Sequence, residues 1–439
     1  MIFIVLGIAS YVILMMVIRK RQYKYKMNQD YTYLFNQETE QIDLKDVRFL
    51  DLSNIPANTT LILKINVKSS LSGHMFQPYI KITDSSKKEE AHYLEHGVNG
   101  VRYLDLSGFS GSKAELKAHH CSLTQKEAIL YIFNNPDPKN QKILILAPHA
   151  DDAEIAAYGL YSSSVQSHVI TVTVGEEGKC DYCGFYGSKR ERAIEKGKLR
   201  VHDALSVPAL GDVPQERCAM LGYFGMSLKW MFEHRDQQAV SALTGISDIR
   251  FFRRTDHTGF INNEAAAATW DSLVRDLYSA VVSIKPEIIV TAHPDIDSNS
   301  DHAYTTYALI QALEQADMRD VKLYCYTNHH IYTEAYPYGP IFSTSALAPK
   351  FNTPFACDAI YSHPLDSKKQ SDKFYALEAM HDLRDATLVL GVKKAWSHFV
   401  KQLKREIQQR DKSYFRRAVR PNELFYVMGW ETFTSRSKS

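Results

Sequence analysis

The sequence has little of several features that mark specialised classes of protein. Its six cysteines are spread thinly over 439 residues, which excludes the dense disulfide framework of a small secreted domain and fits a reducing compartment. Lysine and arginine exceed aspartate and glutamate by only two, so the overall charge gives no case for nucleic-acid binding. Neither an internal repeat nor a low-complexity tract is present. With 45% hydrophobic residues, the chain can bury large cores and is long enough for two domains and an anchor.

Basic residues are also missing from the first 18 positions, which are apolar apart from Gly7, Ser10 and Tyr11. Five lysines and arginines then follow between residues 19 and 26, whereas a cleaved signal peptide begins with basic residues. Residues 2–18 just reach the length of a membrane-spanning helix, and the positive-inside rule places the rest of the chain in the cytoplasm. We therefore expect a single-pass protein of the inner (cytoplasmic) membrane. A buried or amphipathic N-terminal helix is the alternative, but the segment has no polar face.

Residues 42–133 have a hydrophobic period of two. Leu61, Leu63, Ile65 and Val67 alternate with more polar neighbours, and turn signals such as Asn-Gly and Ser-Gly separate several short runs of this kind. Short strands at this spacing predict an antiparallel β-sandwich. Its aromatic residues are either sugar-stacking surfaces or, as we favour here, part of the sandwich core; they are Phe76, Tyr79, Tyr93 and Tyr103.

Residues 134–140, with two prolines among asparagines, break the chain most clearly. We predict three units: an anchor with its basic flank (1–26), a β-sandwich that is a candidate for carbohydrate binding (27–138) and a C-terminal domain (139–439). In the last, strand patterns at 143–146, 169–174, 288–290 and 321–326 alternate with helical patterns at 187–205, 265–283 and 303–315. This alternation predicts an α/β fold, a Rossmann-like, mostly parallel sheet with helices on both faces. No Gly-x-Gly-x-x-Gly follows the first strand, which argues against a dinucleotide cofactor.

The strand at 143–146 leads directly into a group of polar residues. A turn at Pro148 is followed by His149, Asp151 and Asp152, and we expect Asp152 to cap the next helix. In open α/β sheets this edge, at the carboxyl ends of the strands, is where ligands bind. His149 and Asp152 are three residues apart and can reach one cation together, while Asp151 is free to act as a base. A helix cap beside a surface histidine is the simpler alternative.

A third candidate ligand follows a second strand. Ile288–Val290 precedes the polar run 291–302, which ends in Asp301 and His302 and leads into another helical pattern. Acids and histidines at two strand ends are what a catalytic zinc site needs, because such a site has three protein ligands and leaves the fourth position to water.

Together these residues resemble the PIG-L/LmbE-like zinc-dependent de-N-acetylases. The first signature of that family, Pro-His-x-Asp-Asp-x-Glu, matches residues 148–154, and the second, Asp-x-His-x-Asp-His, matches 297–302 with one change. The resemblance covers about 142–310 with motifs. It implies that zinc, or another divalent metal, is held by three residues: His149, Asp152 and His302. It also implies that Asp151 is the general base.

The sequence departs from the family pattern at two places. Asn299 stands where the family has the histidine that helps to polarise the substrate carbonyl. An amide can donate a hydrogen bond to an oxyanion but cannot carry a proton, and His293, just upstream, is a possible substitute. The paired glycines that usually close the first motif are Tyr158 and Gly159 here, so the packing behind the site must differ.

Four further residues are candidates for substrate binding because each follows a strand or lies in a polar loop: Glu176, His257, His329 and His330. The alternative for each is an ordinary surface position. Loose similarity to the family adds Arg192, which would bind a sugar hydroxyl or a phosphate; its alternative is a solvated helix face. The pair Cys180 and Cys183 has neither the second pair of a structural zinc site nor a thioredoxin-like context. We interpret it as a loop feature, with redox-sensitive pairing and metal binding as the alternatives.

The resemblance implies hydrolysis of the N-acetyl group of an amino sugar in a glycan or glycolipid precursor, by zinc-activated water with Asp151 as the base. An O-deacetylase or amidase acting on another acyl substrate would use the same chemistry. The change at Asn299 keeps open a third reading, a non-catalytic carbohydrate-binding membrane protein. The expected partners are the acetylated substrate and the membrane, and the sequence does not fix the oligomeric state.

Overall fold

The structure is a computed structural model. It describes residues 10, 14–35, 39–43, 49–56, 58–124, 127–178, 187–261, 263, 265–351, 357–384, 392, 395–397, 399–400, 403 and 413–434. Within these residues the chain forms a mixed α/β structure with three β-sheets. Two of the sheets are antiparallel and come from the first third of the chain, and the third is a larger, mostly parallel sheet.

The two antiparallel sheets contain the first nine strands, which are β1 (Thr39–Asp43), β2 (Phe49–Asp51), β3 (Thr59–Ser69), β4 (Tyr79–Asp84), β5 (Glu89–Tyr93), β6 (Asn99–Asp105), β7 (Lys113–His119), β8 (Cys121–Leu123) and β9 (Glu127–Asn134). One sheet has the order β1-β9-β3-β6, with β8 also paired to β3, and the other has the order β2-β7-β4-β5. Leu61, Leu63 and Ile65 of β3 share one buried cluster with Ile80 and Ile82 of β4. The two sheets therefore pack face to face as the predicted β-sandwich.

The sheet that contains β3 is buried on both faces. Ile62 points away from the sandwich core and joins a second apolar cluster that extends into the α/β part of the chain, together with Tyr103, Tyr131 and Phe133. Tyr33, from the segment before β1, belongs to the same cluster. This explains why Leu61, Ile62 and Leu63 are all buried, although a strand with one solvated face would alternate.

The aromatic residues that we assigned to the sandwich core lie elsewhere, so that prediction is wrong. Ile80 and Ile82 face the core, so Tyr79 lies on the outer face of β4, where its ring stacks between Tyr93 and His119 at centroid distances of 4.9 and 4.4 Å. Phe76 is 52% exposed, and Tyr103 is buried against the α/β part rather than in the sandwich core.

The large sheet contains β10 (Lys142–Ala147), β11 (Gln166–Thr173), β12 (Cys218–Tyr223), β13 (Ile288–Ala292), β14 (Lys322–Tyr326), β15 (Ala359–Pro364) and β16 (Asn422–Met428). Its order is β12-β11-β10-β13-β14-β16-β15. The first five of these are parallel, and β16 and β15 add an antiparallel edge. Counted from β10, the parallel strands run 3-2-1-4-5, as in Rossmann-like folds. The sequence did not predict β15 and β16.

Helices cover both faces of this sheet. They are α1 (Asp152–Tyr161), α2 (Lys189–Ser206), α3 (Leu228–Glu233), α4 (Trp270–Ile284), α5 (Ser300–Gln315), α6 (Ser367–Ala379), α7 (Tyr414–Ala418) and α8 (Trp430–Thr434). Ile143 and Ile145 of β10 pack with α1 and α6, whereas Leu144 and Leu146 pack with α4 and α5. Because successive side chains of a strand point to opposite faces of the sheet, the apolar residues of β10 contribute to both of the layers on which the helices pack.

Two helix starts differ from the predictions. Asp152 is the first residue of α1 rather than its cap, and Asp151 occupies the cap position without a side-chain cap bond. Helix α4 begins at Trp270 rather than near 265, because the Thr269 side chain accepts a hydrogen bond from the backbone N–H of Ser272 and so fixes the start there.

The structure gives the predicted membrane helix no support. None of the helices formed by the described residues is both long and apolar enough to cross a bilayer. Most of the predicted span, 2–18, lies outside the described residues, although residues 14–20 are helical. Cys180 and Cys183 also lie outside them.

Candidate metal centre

The candidate site lies where the strand order of the large sheet reverses. β10 and β13 are parallel neighbours, but β11 follows on one side of β10 and β14 on the other side of β13. The loops that leave β10 and β13 lead into α1 and α5, and they separate on opposite faces of the sheet. A crevice at the carboxyl ends of the strands is the usual result of this topology, and it is where open α/β sheets bind ligands.

Three side chains from these loops bring their donor atoms together. His149 Nδ1 is 3.1 Å from Asp152 Oδ2, which is 3.1 Å from His302 Nε2, and the two ring nitrogens are 3.2 Å apart. Asp152 and His302 are buried, and the His149 side chain is 14% exposed. The structure thus brings together all three predicted ligands, although 153 residues separate His149 from His302.

The donor set fits zinc. Two imidazole nitrogens and one carboxylate oxygen are common ligands of catalytic zinc, and a tetrahedral ion bound at about 2.0–2.2 Å requires donor atoms about 3.3–3.5 Å apart. The three observed distances form a nearly equilateral triangle only slightly smaller than this. Each of the three atoms can offer a lone pair to a metal ion, and their close packing is stabilised by positive charge, either of a bound cation or of protons on the imidazole rings.

The second nitrogen of each ligating ring faces a carboxylate. His149 Nε2 is 3.4 Å from Asp301 Oδ2, and His302 Nδ1 is 3.1 Å from Asp297 Oδ2. The backbone fixes both carboxylates: the N–H of Met226 donates to Asp301, and that of Asn328 donates to Asp297. Carboxylates in this position orient metal-binding histidines and set which nitrogen faces the ion. They leave His149 Nδ1 and His302 Nε2 as the ring nitrogens that face the candidate cation position.

The electrostatics of the cluster favour a cation. Burial alone would lower the pKa of His149, but hydrogen bonds with Asp152 and Asp301 outweigh it and raise this pKa to about 9. Burial disfavours ionisation of Asp152, yet the attraction of His302 and the hydrogen bond from His149 hold its pKa well below the usual value. The same carboxylates raise the pKa of His302 against its burial. Protons and a metal ion would therefore compete for this site.

Asp151, the predicted base, lies at the edge of the cluster and is 15% exposed. Its Oδ1 accepts a hydrogen bond from Arg200 Nη2 of α2 at 3.2 Å. The other end of the same guanidinium contacts Asp382, which is also 3.3 Å from Lys196 Nζ. Asp151 is thus held by a buried arginine, which was not expected from the sequence.

Of the other predicted site residues, the structure brings His329 to the cluster. Asn299 and His293 lie on the loop between β13 and α5. The His329 ring lies 5.4 Å from that of His302 and is 26% exposed. Asn299 caps α5, its side-chain oxygen accepting from the Asp301 N–H. His293 is fully buried, and its Nδ1 accepts from the N–H of Asp295.

The remaining candidates do not reach the cluster. Glu176 is buried and accepts hydrogen bonds from the N–H of Gly225 and from Ser241. His257 hydrogen-bonds the carbonyl of Cys218, which begins β12 and therefore lies at the opposite edge of the sheet. His330 is 2% exposed, because its ring packs on Tyr332 and Tyr336. Arg192 lies in the first turn of α2, where it donates to the Ser188 carbonyl.

Sequence reasoning overlooked two residues that hold this site. Asn328 follows β14, at the same edge of the sheet, and its Nδ2 donates to Asp152 Oδ1 at 2.7 Å. Its position after a strand is a usable signal, but the sequence pattern favours the two histidines that follow it as site residues. Arg200 lies in the middle of a charged helix, and no local pattern distinguishes it from its neighbours.

The strand order and the donor set define an α/β protein with a candidate metal centre at the point where its sheet order reverses. Residues 144–313 match the PIG-L family, described as GlcNAc-PI de-N-acetylase, which confirms the resemblance of the two motifs. No curated protein sequence matches the chain significantly.

Several solved structures are similar to the chain. A zinc-inhibited form of the teicoplanin deacetylase Orf2 is 14% identical, and the match covers 65% of this chain and 98% of that one with a TM-score of 0.33. The N,N'-diacetylchitobiose deacetylase of Pyrococcus horikoshii is 13% identical, and the match covers 68% of this chain and 88% of that one with a TM-score of 0.35. GalB, the 4-carboxy-2-hydroxymuconate hydratase of Pseudomonas putida KT2440, is 16% identical, and the match covers 65% of this chain and 95% of that one with a TM-score of 0.31. At such identities the chemistry has to be argued from the residues of the site.

Proposed function

We propose that the protein is a metal-dependent hydrolase that removes N-acetyl groups from an amino sugar in a glycan or glycolipid precursor. The observation that carries this proposal is the triangle of His149 Nδ1, Asp152 Oδ2 and His302 Nε2, with sides of 3.1–3.2 Å. The match of residues 144–313 to a family described as a de-N-acetylase supports the choice of reaction.

The three ligands would hold a divalent cation, which we take to be zinc. When bound, such an ion acidifies a water molecule and polarises the acetyl carbonyl. Asp151 is adjacent in sequence to the ligand Asp152 and is partly exposed, so its carboxylate can take the proton that the attacking water loses. It can then return that proton to the departing nitrogen as the C–N bond breaks, releasing the free amine and acetate.

Arg200 acts on this step through Asp151. Its hydrogen bond to Asp151 Oδ1 restricts rotation of the carboxylate and leaves Oδ2 as the oxygen available for proton transfer. Arg200 itself is buried and is anchored by Asp382 and by the carbonyl of Val174. A base held in this way stays in one orientation through the reaction.

The oxyanion that forms when water adds to the carbonyl needs a hydrogen-bond donor beside the metal. Asn299 uses its side-chain oxygen to cap α5, so its amide nitrogen is the atom that would donate. His329 is partly exposed beside His302 and is a second candidate. We place the contact on one of these residues rather than on His293, which is fully buried.

The test compares variants of the two kinds of residue in purified full-length protein. His302→Ala should lose the bound metal, since one of three ligands is gone. Asp151→Asn should keep about one metal ion per chain while kcat falls by about 10²–10⁴-fold, the usual contribution of general acid–base catalysis. His257→Ala, at the opposite edge of the sheet, is the control and should keep both metal and activity.

Metal content is measured by atomic emission, and both acetate and new primary amine are assayed on acetylated amino sugars. Acetate released without an equal amount of amine would point to ester hydrolysis and contradict N-deacetylation. Full activity of Asp151→Asn would remove Asp151 from the mechanism. The membrane location and the division at residue 139 stay predictions.

A further inference from the structure

A second group of buried polar residues surrounds a cavity beside the metal centre. Asn328 forms part of the cavity wall and donates its side-chain N–H to Asp152 Oδ1. Ile155 and Ala156 of α1 and Leu424 of β16 supply apolar wall. The free volume is about 60 Å³, which corresponds to roughly four water-sized volumes. This is enough for a group of four or five heavy atoms, the size of acetate or phosphate.

The charges around this cavity do not balance. The charged residues of its wall are three cations, Lys373, Arg417 and Arg420, and one carboxylate, Glu423. Lys373 and Glu423 are both buried and form an ion pair at 2.8 Å, so they neutralise each other. Two guanidinium groups then remain for which the wall itself offers no carboxylate.

Each of these arginines has only partial compensation. Arg417 Nη1 is 3.2 Å from Glu334 Oε2, but that carboxylate is 40% exposed and lies outside the cavity wall. Among the described residues, Arg420 donates only to uncharged acceptors, which are the carbonyls of residues 337, 338, 339 and 343 and the Ser343 hydroxyl. Burial and the repulsion of Arg416 lower the pKa of Arg420 well below its usual range. A buried cation without a counter-charge is strongly unfavourable.

Three hydrogen-bond donors of the cavity wall are also unused. Arg417 Nε, Arg420 Nε and Tyr326 Oη are buried and have no partner among the residues that the structure describes. The three residues are 8%, 1% and 2% exposed. Buried donors are almost always satisfied in folded proteins, and water could satisfy these three. Water would leave the excess positive charge uncompensated. An anion would accept hydrogen bonds from the three donors and would also compensate the charge.

We propose that this cavity is a binding site for a small oxyanion, a carboxylate or a phosphate, held by Arg417, Arg420 and Tyr326. The two guanidinium groups supply charge, the phenol hydroxyl and the two Nε–H groups supply donors, and the apolar wall accommodates a methyl group. Acetate and inorganic phosphate share the required chemistry. The site is separate from the metal ligands and does not depend on the proposed hydrolysis.

The experiment measures binding of sodium acetate and of sodium phosphate to the full-length protein by isothermal titration calorimetry, against sodium chloride at equal ionic strength. Each titration is done on zinc-loaded protein and again after chelation, because a carboxylate can also bind a metal ion. Tyr326→Phe removes one donor without changing shape. Tyr324→Phe, two residues earlier on β14 and not part of the cavity wall, is the matched control.

We expect saturable binding of acetate or phosphate that persists after chelation. Affinity should fall about ten-fold or more in Tyr326→Phe, the usual effect of one hydrogen bond to a charged group, and stay unchanged in Tyr324→Phe. Arg417→Lys, which keeps the charge but removes Nε, should also weaken binding. The relative affinities of the two anions identify the preferred ligand.

Three results would overturn the assignment: no binding beyond that seen with chloride, binding that disappears on chelation, or an equal affinity in the Tyr326→Phe and control proteins. None of these measurements uses deacetylation. A protein that binds the anion but has no deacetylase activity would therefore refute the proposed function alone, and an active enzyme without anion binding would refute only this site.

Discussion

Two of the buried clusters of charged side chains in the described part of the chain differ in how their polar groups are satisfied. In the sandwich, Glu95 and Arg102 form an ion pair whose side chains are 0% and 1% exposed. At the candidate metal centre, the side chains of Asp152 and His302 are 3% and 0% exposed. The first cluster is complete without any other component, whereas the second brings one carboxylate oxygen and two imidazole nitrogens within 3.1–3.2 Å of one another. Three atoms that can all ligate a metal ion, at these distances, distinguish a candidate metal centre from a structural ion pair.

The sandwich cluster satisfies every group it contains. Arg102 Nε contacts both oxygens of Glu95 at 3.0 Å, and its other nitrogens donate to the carbonyls of residues 27, 29 and 101. The hydroxyls of Tyr25 and Tyr31 also donate to Glu95, and the guanidinium lies 4.1 Å from the centre of the Tyr31 ring. Such a network stabilises a structure only while all of its members are present.

The largest effect on stability is therefore expected from Arg102→Met. This change leaves Glu95 buried without its counter-charge and should lower the free energy of unfolding by about 3–5 kcal/mol. Urea unfolding followed by circular dichroism measures it. Metal stoichiometry of the remaining folded protein should not change, and a loss of metal would mean that the two clusters are not independent. Lys113→Met, which breaks an exposed pair with Asp51, is the control and should have no measurable effect.

A smaller change in free energy, in this case of zinc binding, is expected when a residue that supports the proposed metal ligands is removed. Asn328→Ala deletes the donor to Asp152 Oδ1 and should weaken zinc binding by about 10–100-fold, the usual effect of losing such a partner. Competition with a chromophoric chelator measures this affinity. Asn66→Ala, whose side chain only accepts from Thr124 in the sandwich, should bind zinc as the unmodified chain does. An unchanged affinity in Asn328→Ala would show that Asp152 is fixed by other contacts.

An effect of comparable size, on the pH dependence of stability, is expected from a histidine of the sandwich. Burial lowers the pKa of His92 to about 4, whereas it is about 6.5 in an unfolded chain. The unfolded state therefore binds more protons between these values, and stability that is fully present above pH 6.5 is lost as the pH falls toward 4. Between pH 7 and pH 5 this group should contribute about 2 kcal/mol to the loss. The difference in unfolding free energy between the two pH values should shrink by that amount in His92→Leu, and an unchanged difference would contradict the prediction.

His92 and His302 show why residue type alone does not define a site. Both are buried histidines, but His92 has no hydrogen-bond partner among the described residues and its pKa falls, while His302 lies between Asp152 and Asp297 and its pKa rises. In the sequence only the second carried a signal, because it stands in a motif of acids after a strand.

The parts of the site that the sequence predicted are those set by local spacing. His149 and Asp152 are three residues apart at the start of a helix, and His302 follows a strand, so the parallel sheet brings them to one edge. Arg200, Asn328 and the pairing of β15 with β16 depend on contacts between distant segments. His257 was placed in the pocket because its loop is polar, but the strand direction puts that loop at the other edge of the sheet.

The order of the strands along the chain determines when during synthesis the three proposed ligands are all present. A nascent chain that has emerged as far as β12 already carries His149 and Asp152, but His302 lies beyond β13 at the start of α5. Until that helix has left the ribosome, the chain carries only two of the three proposed ligands, and Asp301, which faces His149 Nε2, has not yet been synthesised. If the proposed site binds a metal ion, binding by all three ligands is therefore expected only after α5 has been made.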